Sequence, residues 1–266
     1  MDHQEKFEAN RKLWNNKTAY HVDSEMYKME KWLNGETSLD EIVLNEIGEV
    51  EGKSLLHLQC HFGQDTMSFA RMGAKAVGVD LSDASIDKAI QLNNQLALDA
   101  KFVRCNVLET REHLQEKFDI VYTSYGTICW LPDLDQWAKV VVDSLKDGGS
   151  FYMAEFHPII HMFDYPNENI SYPYFNIGAV EEVNSGTYAD PDAPIEQREF
   201  FWLHSISETV TALLKQGLIL ESFNEHPYSP YDCFGNSKEI QPGKYVFGSF
   251  PHPLPHVFSM NWRKPT

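Results

Sequence analysis

Residues 54–80 constrain the fold of this chain more than any other stretch. Ser54-Leu55-Leu56-His57-Leu58-Gln59 reads as a buried strand and Cys60-His61-Phe62-Gly63 as a tight loop. Gln64 to Met72 has helical spacing and is closed by Gly73. A second strand, Ala76-Val77-Gly78-Val79-Asp80, then ends on an acid. A strand–helix–strand unit of this length implies a right-handed crossover and parallel strands. Such sheets bind nucleotide-type ligands beyond the carboxyl ends of their strands. An acid at the second strand tip is placed to accept both hydroxyls of a ribose.

The alternation continues. Ser82 caps a helix with Ile86, Ala89, Ile90 and Ala97 on one face, and strands follow at 101–105 and 118–123. Pro132 precedes a helix with Leu134, Trp137, Val141 and Leu145 at helical spacing, which Asp147-Gly148-Gly149 ends before a strand at 150–156. Ser205 or Ser207 caps a further helix through Lys215, followed by strands at 218–223 and 256–262. The pattern predicts an α/β fold with a mostly parallel sheet. Ahead of it, residues 1–46 read as helical, with a short helix from Ser38, as cap, to Ile47. The stretch 157–200 breaks the rhythm with five prolines and many aromatics. It is expected to be a packed cap over the strand edge. A second irregular insert spans 226–255.

The chain has 266 residues, enough for one large α/β domain with additions. It carries no apolar run long enough to span a bilayer, and its first residues are polar and mixed in charge, so neither a membrane span nor a signal peptide is expected. Four widely spaced cysteines, without a CxxC pair, suit a reduced, cytoplasmic setting. Net charge is −17, and residues 151–200 hold nine acids against the single base Arg198. Such a surface repels phosphate backbones, which argues against nucleic acid as a partner. The bland reading of that acid surplus is a solvated face. The sharper one is a preference for neutral or cationic substrates.

The order of signals resembles the class I S-adenosylmethionine-dependent methyltransferases over residues 53–156 and 205–262, and the phrase LLHLQCHFGQDT is similar to a bacterial subfamily with HLQCHFG as its first motif. The resemblance implies a Rossmann-like sheet of seven strands, the last antiparallel, flanked by helices on both faces. It also implies an N-terminal helical lid (1–50), a cofactor-binding domain (51–156 and 201–266) and an inserted cap (157–200). The cofactor is S-adenosylmethionine and the acceptor a small molecule, with the protein a monomer or homodimer. The family's loop is rich in glycine. Here His57 stands in place of the usual acid, Gln59 and His61 in place of glycines, and only Gly63 is kept. Gln59 and His61 are therefore expected to touch cofactor or substrate. Asp80 takes the ribose position and Leu81 the adenine face. Asn106 and the Val107 backbone N–H meet the adenine edge, and Ser124 and Tyr125 lie where the methionine end meets the acceptor.

NAD is the competing cofactor, since an acid at the second strand tip suits it too. It needs a glycine-rich approach to a helix N-terminus, and Asp65 at the helix start would repel a diphosphate. Asp65 itself reads as a helix N-cap. A non-catalytic protein that only holds the cofactor is a further reading. His157, at the end of the fifth strand, is expected to be either a base or a group packing the first turn of the cap, and His21 and Tyr20 are candidates for closing over the cofactor. His157 and His161, like His252 and His256, are four apart, but neighbouring prolines spoil the helical spacing, and no metal site is expected. The aromatics of 157–200, with the local acid surplus, leave an amine or other cationic acceptor open.

Overall fold

A computed structural model describes residues 2–266. Seven strands form one sheet: β1 (Ser54–Leu58), β2 (Lys75–Asp80), β3 (Lys101–Arg104), β4 (Phe118–Thr123), β5 (Leu145–Phe156), β10 (Ile219–His226) and β13 (Val257–Arg263). Their order is β10-β13-β5-β4-β1-β2-β3. Strands β1 to β5 are mutually parallel, and β13 runs antiparallel between β5 and β10. This is the Rossmann-like arrangement with an inverted last strand. Its switch point falls between β1 and β4, whose crossovers leave in opposite directions.

Central strands are buried on both faces, so neighbouring residues serve opposite cores. Leu56, Leu58, Val121, Phe151 and Met153 pack with Trp137 and Val141 of α7 (Leu134–Ser144) and Leu213 of α8 (Ile206–Lys215). Leu55, Ile120, Tyr122 and Tyr152 face Phe69 of α4 (Gln64–Arg71), Leu92 of α5 (Asp83–Gln95) and Val43 of α3 (Glu41–Glu46). A short α6 (Thr110–His113) lies in the polar connection after β3.

The N-terminal region is broken rather than continuous: α1 (His3–Asp23) and α2 (Met29–Leu33) are separated by turns in which Lys28 is left-handed. Helix α3 is capped by Asp40, not Ser38. Asp40 Oδ1 accepts from the Ile42 and Val43 amides at 2.8 and 3.3 Å, while the Ser38 hydroxyl turns to Asp65 at 2.6 Å. Asp65 is correspondingly not the cap of α4. Gly63 holds that position, and Asp65 sits in the first turn as a buried acceptor.

The stretch expected to be an irregular cap contains two hairpins, β6 (Phe163–Asp164) with β7 (Asn169–Ile170) and β8 (Val180–Ser185) with β9 (Glu196–Phe201). The second insert carries the hairpin of β11 (Ser237–Gln241) and β12 (Lys244–Phe247). Helix α1 is stitched to both α5 and the hairpin of β8 and β9. Thr18 bonds Ser85 (2.8 Å) and Asn15 accepts from Ser82 (2.7 Å), both serines lying at the start of α5. Asn10 exchanges two hydrogen bonds with the Phe200 backbone in β9, and Lys17 pairs with Glu199 at 3.2 Å. No helix among the described residues is long and apolar enough to cross a membrane.

Candidate active site

Strands β1 and β2 end side by side, and the loop after β1 folds back on the tip of β2. The Cys60 amide donates to the Val79 carbonyl (2.9 Å) and the His61 amide to Asp80 Oδ2 (2.8 Å). The Ser82 amide takes Asp80 Oδ1 at 2.8 Å. Burial raises the Asp80 carboxyl to about 6, and the amides of Ser82 and His61 oppose that rise.

The loop needs three left-handed residues, Gln59 (φ 56°), His61 (φ 51°) and Gly63 (φ 77°). A non-glycine residue there costs roughly 1–2 kcal/mol. The backbone path of a glycine loop is thus kept while two side chains are paid for in strain, which points to work done by those side chains. Gly63 is held to glycine by packing, since a Cβ there would collide with the Phe102 ring.

His61 lies at the centre of a box supplied by the N-terminal region. Its Nε2 is hydrogen-bonded to His21 Nδ1 (3.0 Å) and its Nδ1 to the Ser85 hydroxyl (2.9 Å). Trp14 packs edge-on at 5.2 Å between ring centres, and Tyr27 stacks on His21 at 5.5 Å. Burial drives His21 down to about 2, helped by repulsion from His61 and Lys17, and drives His61 down to about 3, helped by repulsion from Lys17. Both rings are therefore neutral, and across the shared hydrogen bond one donates its N–H to the other's bare nitrogen. Of the two N-terminal candidates, His21 is buried against the loop, and Tyr20 makes no hydrogen bond to it.

At the next strand, His57 links β1 to β4. Its Nδ1 bonds Thr66 (2.9 Å) and its Nε2 bonds Ser124 (3.1 Å), and burial holds it neutral, down to about 3. Gln59 reaches across to donate to the Thr127 carbonyl at 2.9 Å, while its Oε1 is buried without a partner. The turn after β4 is shaped by Glu155, which is 2 % exposed at the end of β5. Its carboxylate accepts from the amides of Gly126, Thr127 (2.9 Å) and Ile128 (3.2 Å). This buried acid escaped the sequence reading because an acid at a strand end ordinarily meets solvent.

Tyr125 packs between Phe156 (5.4 Å) and Tyr231 (5.3 Å), and its hydroxyl is buried without a partner. Burial and the nearby Asp40 charge raise it well above the ordinary phenol range, so it is a donor and not a base. Leu81 lies half-buried after Asp80, and Val107 is buried at the start of a short 3₁₀ turn. Asn106 caps that turn: its Oδ1, the atom expected to meet an adenine amino group, accepts from the Leu108 amide at 3.1 Å.

His157 is not set up as a base. Its Nδ1 accepts from the Ile159 amide (3.2 Å) and its Nε2 meets Glu225 (3.0 Å). Its ring stands against Phe258, on the β13 side of the sheet. With both nitrogens taken it fastens the first turn of the cap to β10. Among the described residues no group of three or more His, Cys, Asp or Glu side chains is arranged to hold a metal ion.

Residues 56–151 match the family described as a methyltransferase domain. Solved structures share the architecture at low identity. An S-adenosylmethionine-dependent methyltransferase from Clostridium acetobutylicum is 14% identical, with 94% of this chain and 99% of that one aligned and a TM-score of 0.61. One from Mesorhizobium loti is 17% identical over 87% and 100% of the two chains, with a TM-score of 0.56. A glycopeptide N-methyltransferase in complex with S-adenosyl-L-methionine is 15% identical over 85% and 92%, with a TM-score of 0.53. The loop after β1, the β2 acid and the turn after β4 all lie within the matched segment. Residues 56–151 thus match a methyltransferase domain, and the chain shares the Rossmann-like fold of solved S-adenosylmethionine-dependent methyltransferases.

Proposed function

We propose that the protein moves the methyl group of S-adenosylmethionine to a small-molecule acceptor and releases S-adenosylhomocysteine. The observation that carries this reading is the Asp80 carboxylate at the tip of β2, beside a loop that keeps its left-handed turns at 59, 61 and 63. On this reading Asp80 accepts the ribose hydroxyls, with Leu81 against the adenine and Asn106 and Val107 at its edge. Gln59, His61, Gly63 and Ser124 line the methionine portion. Methyl transfer is an in-line displacement, so the residues mainly align donor and acceptor and exclude water. The box of Trp14, His21 and Tyr27 supports the exclusion of water, and residues 1–50 serve as the lid. Residues 157–200 form the cap over the core of 51–156 and 201–266.

Tyr125 donates its hydroxyl to the acceptor or to the donor's sulfur side. His157 is given no chemical step. A dinucleotide fits less well, because α4 opens with the buried Asp65 carboxylate where a diphosphate would approach. Free thiols at all four cysteines and the acidic surface support a cytoplasmic, nucleic-acid-independent enzyme, monomeric or homodimeric.

Calorimetric titration with S-adenosylhomocysteine, with NAD in parallel, tests the reading. Micromolar binding of the first alone is expected. Binding of NAD instead would overturn it, and binding without turnover on any acceptor would leave a cofactor-holding protein.

A further inference from the structure

On the face of the sheet covered by α3 and α4, four segments bring acids and phenols together without a cation. Asp40 caps α3, Asp65 opens α4, Tyr122 and Tyr125 come from β4 and its end, and Tyr231 comes from the second insert. Among the described residues neither Asp40 nor Asp65 has a Lys or Arg within salt-bridge distance. Three polar atoms here are buried without a well-formed hydrogen bond: Asp40 Oδ2, the Tyr125 hydroxyl that faces Asp40, and the Tyr122 hydroxyl that faces Asp65. Tyr122 is 0 % exposed, so no solvent serves it. Leaving a buried polar group poorly paired costs about 1–3 kcal/mol each, so three of them in one place mark a site that a ligand would complete. Near it, the hydroxyls of Tyr27 and Tyr188 share a hydrogen bond (2.6 Å), and Tyr27 lies close enough to feel the Asp65 charge.

We infer that this cluster receives the acceptor, and that the acceptor is an amine whose nitrogen sits among Asp40, Asp65 and the hydroxyls of Tyr122 and Tyr125. The inference rests on the methyltransferase reading and adds the substrate class to it. Two carboxylates attract the ammonium form, and the phenol faces of Tyr125 and Tyr231 suit a cation. Transfer balances simply. The ammonium gives one proton to a carboxylate, and the freed lone pair attacks the methyl carbon. The carbon–sulfur pair then returns to sulfur. The products are the N-methylated ammonium and S-adenosylhomocysteine. Asp65 is suited to take that proton, since burial and the Asp40 charge raise it to about 6.

The test is calorimetry on protein saturated with S-adenosylhomocysteine, using methylamine, phenethylamine and putrescine, with 2-phenylethanol as a neutral counterpart. At least one amine is expected to bind tenfold or more tightly than the alcohol. Asp40→Asn and Asp65→Asn should each erase most of that preference. Asparagine keeps the capping oxygen at 40 and the acceptor for Ser38 at 65, so both variants should fold. Tyr122→Phe, which removes only a hydroxyl, should weaken the amine about threefold. All three should hold S-adenosylhomocysteine within twofold of the unaltered protein. Equal binding of amine and alcohol, or no amine binding, overturns the inference. So does loss of S-adenosylhomocysteine affinity in the aspartate variants, which would assign the acids to the donor's own ammonium. If S-adenosylhomocysteine fails to bind the unaltered protein, the donor reading is what fails, and the same amine comparison on the free protein still decides the cluster.

Discussion

The tips of β1 and β2 and the tip of β4 are neighbours in one sheet, yet they are built in opposite ways. At β1 and β2 the protein answers most of its own polar groups: His57 has Thr66 and Ser124, His61 has His21 and Ser85, and Asp80 has two backbone amides, while Gln59 Oε1 and His21 Nε2 stay open. At β4 it leaves more of them open: the hydroxyls of Tyr122 and Tyr125 and one oxygen of Asp40 have no well-formed hydrogen bond and face only one another and Asp65. A closed network fixes shape before a ligand arrives. An open one is completed by the ligand and so selects it. The two halves of the site thus divide the work into a rigid seat and a discriminating one.

The largest expected effect comes from the acid that holds the turn after β4. Glu155→Ala strands three or more backbone amides that the carboxylate now receives, and should cost about 3 kcal/mol of stability in a urea titration. A change under about 1 kcal/mol would mean that the turn after β4 is held by its own packing, and the contrast between fixed and open halves would weaken. Next, Asp80→Ala should weaken S-adenosylhomocysteine by about 1–3 kcal/mol, read by calorimetry, if it holds the ribose through charged hydrogen bonds. Unchanged affinity would remove β2 from the site.

Acid should act through both kinds of group. His21, His57 and His61 are depressed in the fold to about 2, 3 and 3, below the unfolded value near 6.5. The unfolded chain therefore binds their protons first. Their contribution to stability is complete above about pH 6.5 and is lost as the pH falls toward 3. Asp65 and Asp80 are raised to about 6, and work the other way, favouring the fold below about pH 4 and losing that advantage as the pH rises through 6. Because Asp80 must be ionised to accept two hydroxyls, ligand affinity should fall below about pH 6 even where the fold persists. Affinity that is flat from pH 5 to 8 would break that assignment.

The smallest expected effect is the most discriminating. Gln59→Gly relieves left-handed strain of about 1 kcal/mol and removes one hydrogen bond worth about as much, so thermal stability should hardly move. Ligand affinity should fall nonetheless if the buried Oε1 serves the donor. Equal affinity would make Gln59 a bystander to the chemistry.

The order of strands, the β2 acid and the place of the altered loop could be read from the chain because they depend on local periodicity and strand ends. What escaped depends on distant partners. Ser38 and Asp40 are both good caps on paper, and only the Ser38 bond to Asp65 decides between them. His157 looks free at a strand tip until Glu225, from another strand, takes its Nε2. Tyr122 in a strand reads as ordinary core. Its unpaired hydroxyl shows only when Asp40 and Asp65 are brought across from their helices. His61 was singled out through its unusual place in the loop, but its pairing with His21 spans 40 residues and has no local signature.

Helix α1 is bonded through Asn10 to the Phe200 backbone of β9 and, further along through Asn15 and Thr18, to Ser82 and Ser85 beside the β2 tip. A donor lying on Asp80 would leave only after those ties are released, so the clock of the reaction would be set by undocking a helix and not by breaking a carbon–sulfur bond. Turnover in that regime slows with solvent viscosity, shows little isotope effect from a labelled methyl group, and speeds up when Thr18→Ala loosens the latch.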